Sequence, residues 1–165
     1  MAENPIPHRL LAVDFGSKRI GLAVSQGSLA LPLRTLSRTS DAAAVAAIAE
    51  VVQEEGVTGL VVGEPRRLDG TAGDAAARVR GFARKVEAAT GLKCTLVDEA
   101  LTSRAAEERL RAAGVDPRRH PERVDQVAAQ LLLEEVLRRE ERAQRDEGAS
   151  LEEGGRSGDA AGEDQ

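Results

Sequence analysis

The 165-residue chain has no tryptophan, no tyrosine and only two phenylalanines. Without aromatic platforms, recognition by stacking unpaired bases is disfavoured. Its single cysteine, Cys94, excludes an internal disulfide and suits a reducing compartment. Cys94 falls in an expected strand, as a small core residue. No apolar run of about 18 residues occurs, so no membrane span is expected. The opening Met-Ala-Glu-Asn-Pro-Ile-Pro-His lacks a basic segment followed by an apolar one. No secretory leader is therefore expected, and the location read from the sequence is cytoplasmic.

The net charge of −5 is unevenly distributed. Residues 141–165 hold 8 acids and 3 bases; subtracting these from the totals of 28 and 23 leaves 20 of each in residues 1–140. A neutral domain can still bind nucleic acid if its arginines cluster. The division expected is a domain over 1–140 and an acidic tail over 141–165. The tail is rich in Gly, Glu, Asp and Ser, and its composition predicts a disordered, solvated extension.

The most informative stretch is Leu10-Leu11-Ala12-Val13-Asp14-Phe15-Gly16-Ser17-Lys18-Arg19-Ile20-Gly21-Leu22-Ala23-Val24-Ser25. It reads as a strand, a tight turn and a second strand. Alternation puts Leu10, Ala12 and Asp14 on one face. The first strand is apolar on both faces, hence central, and a carboxylate there is costly unless compensated. A metal ion would compensate it; capping of the turn backbone explains the residue equally well when it is taken alone.

Two further acids favour the metal. The run Leu92-Lys93-Cys94-Thr95-Leu96-Val97-Asp98-Glu99 is another strand ending in carboxylates. Asp125 shares a helix face with Ala128, Ala129 and Leu132, at spacings of three, four and seven, so its charge lies on the packing stripe. Three carboxylates on separate elements suit Mg²⁺ or Mn²⁺, with hard oxygen ligands. Alternation sends Asp98 and Glu99 to opposite faces, so one of them joins Asp14. Glu99 is favoured, being longer and nearer the strand end. The expected catalytic and metal-binding set is Asp14, Glu99 and Asp125.

Three blocks carry a resemblance: Asp14 to Ser25; Val61-Val62-Gly63-Glu64-Pro65-Arg66-Arg67-Leu68-Asp69-Gly70-Thr71; and Val97-Asp98-Glu99-Ala100-Leu101-Thr102-Ser103 with Val124-Asp125-Gln126-Val127-Ala128-Ala129. In order and spacing the chain resembles the YqgF/RuvX family of pre-16S rRNA nucleases and Holliday-junction-resolvase-like proteins, from about residue 8 to 140. The resemblance implies an RNase H-like fold and a hydrolase acting on phosphodiester bonds, with a role in maturing the 5′ end of pre-16S rRNA. The partners it implies are structured RNA or branched DNA. A homodimer would serve symmetric junction cutting, and a ribosomal partner would serve rRNA maturation. Two positions depart from the family's usual pattern: Glu64 stands where it has Leu, and Ala100 where it has Arg. The first is expected to add negative charge near the site. These departures keep a non-catalytic nucleic-acid-binding module among the alternatives, beside a Holliday-junction resolvase. An actin-like ATPase shares Asp-x-Gly after a first strand but needs a duplicated domain and a longer chain.

The elements expected are strands near 9–15, 20–26, 31–36, 58–62 and 93–97, and helices near 41–55, 74–90, 102–113 and 122–140. Ser40 or Asp41 caps the first helix, and Gly91 ends the second. The order βββαβαβαα predicts an α/β fold: a mixed five-stranded sheet with helices on both faces. Lys18 and Arg19 in the first turn, and Arg66 and Arg67 in the loop after the fourth strand, are candidate phosphate contacts. The loop Asp69-Gly70-Thr71-Ala72-Gly73 could offer backbone N–H groups. Thr102 either binds substrate or caps its helix. Arg78 and Arg84 read as a solvated helix face. Arg118, Arg119, His120 and Arg123 form a basic cluster before Asp125 that suits either charge neutralisation or a surface linker. His8 reads as part of a disordered end.

Overall fold

A computed structural model describes residues 8–65, 73–99 and 102–154, with side chains through 150. The elements are β1 (Leu10–Phe15), β2 (Arg19–Gln26), β3 (Leu29–Ser37), α1 (Asp41–Glu55), β4 (Gly59–Pro65), α2 (Asp74–Thr90), β5 (Cys94–Glu99), α3 (Thr102–Ala112) and α4 (Pro121–Gly154). The sheet order is β3-β2-β1-β4-β5. The first three strands form an antiparallel meander, and β4 and β5 add in parallel, each after a helical crossover. This is the mixed five-stranded α/β sheet expected.

β1 is central because its alternating side chains are apolar on both sides. Leu11 and Val13 meet Ile48 and Val51 of α1 and Val79, Phe82 and Val86 of α2. Leu10 and Ala12 face the opposite way, toward Ala129, Leu133 and Leu137 of α4. The short α3 packs on the outside of α4 through Ala106 and Leu110. Ser40 accepts a hydrogen bond from the Ala43 N–H at 3.1 Å and so caps α1. Gly56, at φ 63°, closes the other end of α1. Cys94 is buried in the core, and burial pushes its thiol up to about 12. Among the described residues no helix is long and apolar enough to cross a membrane.

The chain departs from expectation mainly at element ends. β4 runs on to Pro65 and β5 to Glu99, because their parallel ladder continues through the pairs Glu64 with Asp98 and Pro65 with Glu99. α4 does not stop near residue 140: it reaches Gly154. Residues 141–150, expected to belong to a disordered tail, are an exposed helical extension. Their Glu, Arg, Ala and Gln content carries high helix propensity, which a low apolar content does not cancel. His8, also expected to be disordered, reaches Glu140 at 3.3 Å.

One close approach sets how α4 lies on the sheet. A Cβ at Gly21 would fall 2.0 Å from the Asp125 carbonyl oxygen and 2.9 Å from its Cβ. Only a residue without a side chain allows the first turns of α4 this near β2. Gly21→Ala should therefore cost about 2–3 kcal/mol through overpacking. Gly81→Ala in α2, where the added methyl meets nothing, should instead add about 0.5–1 kcal/mol. Urea denaturation followed by circular dichroism reads both signs.

Candidate active site

Strand alternation builds the site. Asp14 continues the Leu10 and Ala12 face of β1, toward α4. Glu99 continues the Val97 face of β5, and Gly21 and Ala23 belong to the same side of β2. Asp14 pairs in register with Gly21, the residue over which Asp125 sits. On β4, Gly63 makes room in the same way: a Cβ there would lie 2.9 Å from Glu99 Oε2 and 2.8 Å from Leu132 Cδ1. Two glycines thus clear the floor on which the acids from β5 and α4 approach Asp14.

The proximity registers electrostatically. Burial raises the Asp14 carboxyl from 3.8 to about 8, helped by the charge of Glu99, a hydrogen bond with Glu99 and the charge of Asp125. Of the two adjacent acids, Glu99 is thus the one beside Asp14, whereas Asp98 is exposed. The other two members of the set carry their own donors. The Thr102 hydroxyl, in the first turn of α3, donates to Glu99 Oε1. Arg19 Nε donates to Asp125 Oδ2 at 2.6 Å. Among the described residues no group of three or more His, Cys, Asp or Glu side chains is placed to hold a metal ion, and Asp125 is engaged by Arg19. The donor set is nonetheless what a hard cation takes: carboxylate oxygens, crowded enough to repel one another.

The three acids line a cleft of about 460 Å³. Arg38 and Arg78 also line it, with Ser17 and Ser103. Arg38 lies 4.3 Å above the Phe15 ring, donates to the Gly16 and Ser17 carbonyls at 3.3 and 3.4 Å, and pairs with Asp41 at 2.8 Å. It stiffens the first turn, and no local motif in the sequence marks it. Phe15 stacks on Phe82 with centroids 4.3 Å apart, a core contact. Arg78, read from the sequence as part of a solvated face, is exposed on the cleft and has no ion pair among the described residues.

Other expected residues fall elsewhere. Lys18 is exposed in the β1–β2 turn, and Arg19 sits on Asp125 outside the cleft lining. Arg66, Arg67 and the loop through Thr71, like Ala100, lie outside the described residues. Arg118, Arg119, His120 and Arg123 do not line the cleft. Arg119 lies 3.8 Å from Asp116, and His120 lies 3.3 Å from Glu122. Glu64, expected to add charge near the site, projects to the other face of the sheet. It is 6% exposed and pairs with Arg80 of α2. Its parity with Leu60 and Val62, both in the α1–α2 core, dictates that direction.

A family model described as RuvX, Holliday junction resolvase, matches residues 8–139. A protein of Anaeromyxobacter dehalogenans strain 2CP-C, named "Putative pre-16S rRNA nuclease", is 47% identical over 133 residues, covering 79% of this chain and 97% of that one. A protein of the same name from Thermosynechococcus vestitus is 42% identical over 130 residues, covering 78% and 86%. The solved structure of T. thermophilus RuvC in complex with Holliday junction substrate superposes with a TM-score of 0.52 at 16% identity, covering 79% of this chain and 94% of that one. That likeness is one of fold: the RNase H-like sheet with its helices.

The raised Asp14 carboxyl has a consequence for stability. Its folded value near 8 exceeds its ordinary 3.8, so folding takes up a proton between those limits. Cation-free stability attributable to this group is intact below about pH 4, falls as pH rises, and is lost above about pH 8. Asp14→Asn, which cannot ionise, should melt higher than wild type in EDTA, with the gap opening across that window. Each 1 kcal/mol corresponds to roughly 2–4 °C in a domain of this size. Melting curves at pH 5 and 8 that differ by the same amount would contradict the assignment.

Proposed function

The chain belongs to the RuvX family, and we propose that it is an endonuclease dependent on a divalent cation, Mg²⁺ or Mn²⁺, that hydrolyses phosphodiester bonds in the 5′-end maturation of pre-16S rRNA. The observation that carries this reading is the convergence of Asp14, Glu99 and Asp125 on one cleft, with Asp14 raised to about 8 by burial and by its two neighbours. A divalent cation held there would bind a phosphate oxygen, lower the pKa of an attacking water and stabilise the leaving oxygen.

The chain's own groups set up that chemistry. Asp14, at the end of the central strand, is the pivotal ligand, and Thr102 orients Glu99 through its hydroxyl. Arg78 faces the cleft with its charge uncommitted among the described residues, suiting a phosphate next to the scissile one. Lys18, exposed in the turn beside the cleft-lining Ser17, suits another. Arg66 and Arg67, which lie outside the described residues, stay in the reading as candidate phosphate contacts on their sequence alone, whereas Thr102 and Arg19 are engaged by Glu99 and Asp125. The chain has no Trp or Tyr, so recognition rests on phosphates and duplex or junction shape. The name of the relatives supports the RNA substrate. The reading places the protein in the cytoplasm, in keeping with the buried free thiol of Cys94, with a ribosomal particle as the natural partner. The family description favours a second reading, resolution of four-way DNA junctions, which requires a homodimer to cut two strands symmetrically.

A gel assay on a 5′-extended 16S rRNA precursor fragment and on a four-way DNA junction, with Mg²⁺, Mn²⁺ or EDTA, separates these. Cleavage of the RNA that EDTA stops is expected. Asp14→Asn should lower it by more than about 100-fold, the upper cost of losing even an outer-shell partner, with the fold retained. Cutting of the junction alone would favour resolution, and binding of either substrate without cutting would favour a non-catalytic module.

Cation affinity should depend on pH for the same reason as stability. At pH 7 Asp14 is largely protonated, with its carboxyl near 8, and a bound cation must displace that proton. The apparent Kd for Mn²⁺ should therefore fall by up to about tenfold per pH unit between pH 6 and 8, the limit for one released proton. Calorimetry in buffers of different ionisation enthalpy reads that proton directly.

A further inference from the structure

We infer that Arg19 is a positioning residue that clamps Asp125 from outside the cleft and presents the free oxygen of that carboxylate to a cation. The inference rests on the cation-site reading above. Arg19 Nε donates to Asp125 Oδ2 at 2.6 Å, a charge-assisted bond. Oδ1 accepts no hydrogen bond among the described residues. Asp125 lines the cleft and Arg19 does not, so the guanidinium holds the acid without lining the cleft itself.

The backbone of Asp125 is fixed from the same strand. Arg19 and Gly21 are two residues apart on β2, hence on one face. Gly21 receives the Asp125 main chain in near contact, and Arg19 receives its side chain. The neighbouring turns of α4 are tied to β3. The Thr35 hydroxyl donates to the Glu122 carbonyl at 2.6 Å, and Gln126 Nε2 donates to that hydroxyl at 3.2 Å. With main chain and helix start fixed, the torsions about χ1 and χ2 are the freedom left to Asp125. The Arg19 bond removes it. Glu99 is restrained in the same manner by Thr102, so both acids brought to Asp14 have a donor of their own.

A guanidinium on a carboxylate could alternatively compete with a cation for it, and the two roles predict opposite signs. Mn²⁺ binding, followed by the electron paramagnetic resonance of free Mn²⁺, should be compared for wild type, Arg19→Gln, Arg19→Lys and Asp14→Asn. Melting of each in EDTA reports the fold. The clamp predicts about 10–100-fold weaker Mn²⁺ binding in Arg19→Gln, the cost typical of removing an orienting partner. Arg19→Lys should recover part of it, since an ammonium restores charge but not the planar donor. Unchanged affinity in Arg19→Gln, even with a lower melting temperature, would overturn the clamp, and tighter binding would replace it with competition. If Arg19→Gln does not fold, weaker binding in Arg19→Lys supports the clamp and wild-type binding there overturns it. Wild-type affinity in Asp14→Asn would instead remove the cation site, and the clamp with it. Loss in Asp14→Asn beside an unaffected Arg19→Gln removes the clamp alone.

Discussion

Mutual repulsion among Asp14, Glu99 and Asp125, at the end of a strand that must be central, is the constraint around which this molecule is arranged. β1 is buried on both faces, so its terminal carboxylate cannot turn fully to water. Burial and the two neighbouring acids together hold the Asp14 proton up to about 8. A fold selected for stability alone would put apolar side chains here, because buried charge is costly and a hydrophobic replacement is commonly as good or better. The acids are instead gathered, and the surroundings accommodate them. Gly21 and Gly63 give up their side chains, and Thr102 and Arg19 supply donors. Carbonyl bonds from Arg38 brace the turn that follows Asp14.

The hydrophobic architecture makes that gathering possible. The α1–α2 core and the α4 core lie on opposite faces of one sheet, so each strand residue is assigned to a core by its parity. Parity brings Asp14 and Glu99 to the α4 side and sends Glu64 to the α2 side, where Arg80 neutralises it. The Glu64 departure from the family's usual Leu therefore leaves the acidic cluster unchanged in charge. Glu64 forms an ion pair between β4 and α2, with Arg80 partly in solvent.

Much of this was legible before any coordinates. The two-residue period of β1 and β5 put Asp14 on one face and parted Glu99 from Asp98, the length and end position of Glu99 favoured it, and the helical spacing around Asp125 placed that residue on an inward face. Those signals are local, and local periodicity survives translation into three dimensions. The pairing of Arg19 with Asp125 spans 106 residues in sequence, and no spacing rule reports it; a basic residue beside a turn reads as a phosphate contact. Gly21 falls inside an expected strand and carries no local signal of its role, because the feature that matters is a helix more than 100 residues away. The end of α4 was misplaced because composition reports whether a segment can bury itself. It does not report whether a solvated helix can persist on propensity alone.

The family relationship and the cleft converge on one chemistry, hydrolysis of a phosphodiester beside clustered carboxylates, with Arg78 lining the same cleft. The central claim is that those carboxylates exist to hold a divalent cation. Crystals grown with Mn²⁺ and measured for anomalous scattering test it most directly. The account predicts a difference peak in coordination contact with Asp14 and Glu99, with Asp125 at or next to the ion. A peak elsewhere, or none near Asp14 at saturating Mn²⁺ above pH 8, would contradict it.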